Sequence, residues 1–201
     1  MKSVYDFIIK PIGNIYDNSI EVDGKELLLN TSIEKHKFVN NKAVVVSVPL
    51  AFKTPIKVGD EIIVHHNIFR RYYNIKGKET NSSKYFKEDL YFCQVDQIYL
   101  YKKTHGWQAF ADRCFAMPVK NDNDLELEKE KKLIGVLKYG NKSLEAKGIN
   151  EGDIIGFTPN SEFEFIVNNE RLYCMKSNDI VIKYEHQENQ IEYNPSWAKS
   201  S

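Results

Sequence analysis

The sequence predicts an all-β protein built from two tandem copies of one small barrel. Two observations carry that prediction. First, the chain repeats itself in order: residues 56–64 (IKVGDEIIV) return as 149–157 (INEGDIIGF). Residues 88–93 (EDLYFC) return as 170–175 (ERLYCM), and 96–100 (DQIYL) match 178–182 (NDIVI). Second, the apolar runs are short, rich in β-branched and aromatic residues, and cut by turn residues. That is the pattern of strands rather than of helices of ordinary length. Two copies of about 75 to 105 residues are too few and too long for a solenoid.

The elements follow in order. Residues 7–11 form a strand that stops at Pro11, and residues 43–49 form one that stops at Pro49. Val58-Gly59-Asp60 is turn chemistry placed directly ahead of a strand at 62–64. Strands at 90–93 and 98–101 close the first copy. The second copy opens at 113–119, with Pro118 on Pro11, and continues with a strand at 133–137 and the turn Glu151-Gly152-Asp153. The expected division is a first barrel over 1–103, a second over 107–186 and a C-terminal tail over 187–201.

The copies differ in length. Between the opening strand and the valine-rich strand the first copy carries about 17 extra residues, as the matched offset falls from 107 to about 90. The second copy is about three residues longer ahead of its Gly-Asp turn. Between that turn and the Leu-Tyr strand the first copy is longer by 11, and the insertion holds Arg70, Arg71, Tyr72, Tyr73, Lys76 and Lys78.

Four motifs in this order, each present twice, resemble the GroES co-chaperonin family. In the first copy they are Lys10-Pro11-Ile12, residues 43–48, Val58-Gly59-Asp60 and residues 97–100. In the second they are Met117-Pro118-Val119, residues 133–137, Glu151-Gly152-Asp153 and residues 179–182. The resemblance covers most of residues 5–185 and implies GroES-like barrels. It also implies a mobile loop after the opening strand, with an apolar anchor that docks on a GroEL-type chaperonin ring. The matching stretch is residues 14–37, with Gly24, Leu27, Leu28 and Leu29 at the anchor. It lacks the family's second glycine and following proline. The second copy has only residues 120–132 there, charged and without an apolar triplet. The family's roof hairpin is reduced to 50–55 and 140–146, which resembles the phage-encoded branch and implies a viral source.

The function so implied is a co-chaperonin that caps a chaperonin ring and assists protein folding. It would act as a homo-oligomeric ring without chemistry or a cofactor of its own. The alternative is a virion or assembly protein that uses the barrels as oligomerisation modules. The residues alone leave the leucine triplet open: it is a short core strand or an exposed anchor. Burying one leucine is worth about 1.5–3 kcal/mol, against about 1–2 kcal/mol per residue to order the backbone. One loop therefore binds weakly, and several loops acting together bind through avidity.

The 28 basic and 28 acidic residues cancel, which removes the simplest electrostatic case for a nucleic-acid binder and leaves a local patch open. Arg70, Arg71, Tyr72 and Tyr73 with Lys76 and Lys78 are either a surface for single strands or a solvated hairpin, and the neutral chain favours the hairpin. There is no apolar run of eighteen residues and no N-terminal signal segment. A soluble cytoplasmic protein is expected, in the host cytoplasm if phage-encoded. Cys93, Cys114 and Cys174 are odd in number and lack CxxC spacing, so they read as free buried thiols. On a regular strand His65 and His66 would point to opposite faces and could not share a metal. Residues 122–132 read as an exposed charged loop with little order. No nucleophile elbow, phosphate-cradling loop or carboxylate pair stands out.

Overall fold

The computed structural model describes residues 2–16, 19–22, 25–28, 39–104, 106–121, 129–185 and 192–200. The chain divides into two compact units, Met1–Gly106 and Trp107–Ser201. In the first unit the strands are β1 (Phe7–Pro11), β2 (Ser19–Val22), β3 (Lys25–Leu28), β4 (Lys42–Ser47), β5 (Glu61–Val64), β6 (Tyr72–Tyr73), β7 (Glu79–Thr80), β8 (Tyr85–Lys87), β9 (Leu90–Cys93) and β10 (Ile98–Lys103). Strand β11 (Gly106–Ala109) straddles the seam. The second unit holds β12 (Arg113–Lys120), β13 (Glu130–Tyr139), β14 (Ile154–Phe157), β15 (Phe163–Val167), β16 (Glu170–Lys176) and β17 (Ile180–Lys183), with one short helix, α1 (Lys142–Glu145). The protein is all-β, as its short β-branched runs require.

The repeat is visible in the hydrogen bonding. Within the first unit the strands lie in the order β8-β9-β1-β4-β5-β10, and in the second β15-β16-β12-β13-β14-β17. Ile9 faces Val45 and Tyr91; its equivalent Ala116 faces Leu137 and Tyr173. The register slips between Ile8 and Ile9 in one copy and between Phe115 and Ala116 in the other. A second slip opposite Ile63 and Val64 recurs opposite Gly156 and Phe157. A bulge changes strand twist and direction, so bulges at equivalent sites mean the sheets bend alike. This register corrects the counting of the insertions. Val44 matches Val136, an offset of 92, so the first copy's excess after β1 is 15 residues rather than about 17. The second copy is then one residue longer ahead of its turn, not about three.

The Gly-Asp turns are also the same. Gly59 and Gly152 sit at φ +90° and +92°, a region glycine enters without a Cβ penalty. Asp60 Oδ2 accepts from Lys57 N at 2.8 Å, and Asp153 Oδ2 accepts from Asn150 N at 2.7 Å. Each aspartate so closes its own turn before the strand begins.

The first core gathers Phe7, Ile9, Ile62, Ile63, Leu100 and Tyr91, all at most 1% exposed. In the second, Cys114, Ala116, Leu137, Leu144, Ile155, Phe157 and Met175 pack together, all at most 4% exposed. No helix among the described residues is long and apolar enough to cross a membrane.

One expectation is corrected. Glu130, Lys131 and Lys132 are not loop: β13 starts at Glu130, which pairs with Lys120. Residues 140–146, where the roof hairpin is reduced, carry α1, capped by Asn141, whose Oδ1 accepts from Ser143 N and Leu144 N. The described part of the tail packs on the second unit. Tyr193 N donates to Pro118 O at 2.8 Å, and Ala198 is fully buried.

Candidate functional site: the insertions of the first copy

The loop after β1 leaves the sheet at Gly13, whose φ of +75° turns the chain outward. Asn40 fixes the point of return. Its Nδ2 donates to Ile12 O at 2.6 Å and Asn14 O at 2.9 Å, while its Oδ1 accepts from Lys42 N at 2.8 Å. Tyr16 and Val39 form an antiparallel bridge above it. The stem is therefore built even though Gly13 and Asn40 are 27 positions apart.

Within the loop β2 and β3 pair as a hairpin. Leu27 stands opposite Ile20, and Leu28 opposite Ser19. Gly24 and Leu29, the other two residues of the expected anchor, lie outside the described residues. In the second copy the equivalent connection prolongs the β12–β13 ladder, with Asn121 N donating to Lys129 O at 3.0 Å. Residues 122–128 there lie outside the described residues.

The other insertion of the first copy, residues 66–87, starts as a 3₁₀ turn over His66–Ile68. Ile68 and Phe69 are buried, and Phe69 meets Tyr91 edge to face with ring centres 4.9 Å apart. Ser82 Oγ closes the base by donating to Ile68 O at 2.5 Å. Beyond that base β6 and β7 form a hairpin. Its tip is wound on Asn74, whose Oδ1 accepts from Lys76 N at 2.9 Å and Lys78 N at 3.0 Å. Arg71 pairs with Glu79 at 2.9 Å, with both side chains 41% exposed. Such a pair contributes little to stability.

The two insertions meet at their bases. Arg71 N donates to Tyr16 Oη at 2.6 Å. Burial pushes the Tyr16 phenol above its ordinary range, against the lowering effect of that bond and of the Arg71 charge. Nothing local announces this contact, because its partners are 55 positions apart.

Sequence reasoning also missed a cluster in the second unit. Arg171, with a side chain only 12% exposed, pairs with Glu130 and, at 2.8 Å, with Glu164. Tyr173 Oη donates to Glu130 Oε1 at 2.5 Å, and Trp197 from the tail lies over the guanidinium at 5.8 Å. Burial works against the Arg171 charge, but its bonds to Glu130 and Glu164 outweigh that and raise its pKa. Burial, then the bond to Glu130, pushes Tyr173 up. The cluster walls a cleft of about 630 Å³. Because the arginine is already matched by two carboxylates, it holds the tail rather than awaiting an anion.

Cys93, Cys114 and Cys174 are free and buried. Burial raises all three thiols, Cys174 to about 12, which makes them poor nucleophiles at neutral pH. His65 and His66 do not sit on one regular strand. β5 ends before them, and their rings stand 4.5 Å apart with His65 Nδ1 accepting from Asn67 N. The opposite-face argument therefore does not apply. No group of three or more metal-ligating side chains occurs among the described residues.

No protein-family model and no curated protein sequence matches the chain.

Proposed function

We propose that the chain is a co-chaperonin that caps a GroEL-type chaperonin ring, acts as a homo-oligomer in the cytoplasm, and leaves ATP hydrolysis to its partner. The observation that carries this reading is an asymmetry between matched copies. The sheets share order, register and Gly-Asp turns, but among the described residues only the first copy has the hairpin bearing Leu27 and Leu28. A docking element on an otherwise repeated scaffold is where the two copies should differ. Pairing β3 with β2 before docking lowers the ordering cost on binding, so a short apolar anchor goes further. A ring of such anchors then binds by avidity while each contact stays reversible.

The test is a pull-down on a chaperonin ring with ATP or ADP, alongside native mass of the free oligomer. The wild type is expected to be retained with nucleotide. Leu28→Asp is expected to lose retention with its circular dichroism and melting unchanged. Collapse of the fold in Leu28→Asp would make the triplet core. Stoichiometric recovery in particles without ring binding would favour the assembly-protein alternative.

A further inference from the structure

The chain is neutral, but its charge is not evenly spread. Residues 66–87 hold six Arg and Lys against a single acid, Glu79. That one acid is taken up by Arg71. Lys76 and Lys78 flank the hairpin tip and have no ion-pair partner among the described residues. The formal charge of the whole chain hides a segment of 22 residues with an excess of five positive charges.

The same segment exposes aromatic rings. Tyr72 is 47% exposed, Tyr73 51%, Tyr85 37% and Phe86 41%. A hairpin that served only to extend the core would bury them. Instead the core receives just Ile68 and Phe69, at its base. Nor is the hairpin slack. Its tip is wound on Asn74 and its root is tied to Ile68 and Tyr16, so Tyr72 and Tyr73 are presented from a fixed frame, while Tyr85 and Phe86 sit on β8 of the main sheet.

We propose that this hairpin binds single-stranded nucleic acid. Every base has a π-face that stacks on an aromatic ring without regard to sequence, and the phosphates between bases need nearby cations. Tyr72 and Tyr73 on β6 offer one ring on each face of the hairpin, Tyr85 and Phe86 follow on β8, and Lys76 and Lys78 at the hairpin tip supply cations that no carboxylate among the described residues neutralises. Zero net charge does not oppose this, because affinity depends on the phosphates neutralised at the contact. The surface is distinct from the leucine anchor, and it stands whether or not the chain caps a chaperonin.

The test uses the full chain and fluorescein-labelled 20-mers of dT and rU, read by anisotropy at 50 and 200 mM salt. Neutralising about four phosphates predicts a log–log salt slope of roughly −3, which is roughly a fifty-fold loss between those salts. Lys76→Glu with Lys78→Glu, and separately Tyr72→Ala with Tyr73→Ala, are each expected to weaken binding at least tenfold with unchanged melting. Leu28→Asp is expected to bind the oligonucleotides as the wild type does. Tighter binding of one oligonucleotide than the other would identify its natural class. No binding by the wild type at 50 mM salt overturns the proposal. So does wild-type affinity in the lysine double variant, equal binding of polyglutamate, or binding of phosphatidylserine vesicles but neither oligonucleotide.

Discussion

Tyr16 accepts a hydrogen bond from the backbone N–H of Arg71 at 2.6 Å, and so ties the stem of the loop after β1 to the root of the inserted hairpin. Among the described residues both elements are found only in the first copy. The bond makes them neighbours on one unit rather than two separate decorations.

Tyr16→Phe keeps the ring and removes the acceptor. A partly buried N–H left without a partner costs about 1–3 kcal/mol. The expected result is a lower urea midpoint and faster hydrogen exchange at the Arg71 amide, with the amides of β12 and β13 unaffected. Unchanged exchange at Arg71 would mean that the two insertions are held independently.

The Gly-Asp turns allow a paired experiment. A Cβ at Gly59 or Gly152 meets nothing within 4 Å, so the cost of alanine there is one of backbone alone. At φ near +90° that cost is about 1–2 kcal/mol. Gly59→Ala and Gly152→Ala are expected to destabilise their own units by similar amounts. Native-state hydrogen exchange at Val45 and Leu137 reads them out, since these amides donate to Asp60 O and Asp153 O. A large penalty in one copy and none in the other would show that the turns are not equivalent.

The buried thiols predict an alkaline loss of stability. Cys93, Cys114 and Cys174 have folded pKa values raised above the ordinary thiol value of 9.0 by burial. A raised folded pKa contributes stability that is fully present below the unfolded value and is lost as pH rises towards the folded one. The urea midpoint is therefore expected to be level from pH 7 to 8 and to fall above about pH 9. Each thiol contributes a slope of about 1.4 kcal/mol per pH unit. Cys174→Ala is expected to reduce that slope for the second unit. A midpoint level to pH 10.5 would mean that the thiols are reached by solvent in the folded state.

Much of the scaffold was legible because its signals are local. Alternating β-branched runs mark β1, β4 and β5, and Val58-Gly59-Asp60 marks a turn whose closing bonds span three residues. The paired repeat even aligned Pro11 with Pro118, which face Ala43 and Gly135 at matching places in the two ladders. The short pieces were not legible. Strands β6 and β7 are two residues each, and α1 is a single turn held by the Asn141 cap and the burial of Leu144. Nothing local singles out Arg171, because Glu130 is 41 positions away.

The all-β character, the twofold repeat and the copy that carries extra chain all follow from the order of residues along the chain. Those properties depend on residue type and on neighbours a few positions apart. The pairing register, the joining of Tyr16 to Arg71, the seating of the tail on Arg171, and the exposure of Tyr72 and Tyr73 arise on folding. Each of these is a contact, or the lack of one, between segments far apart in the chain. Such contacts are selected by how the whole sheet packs and by what remains for water to cover.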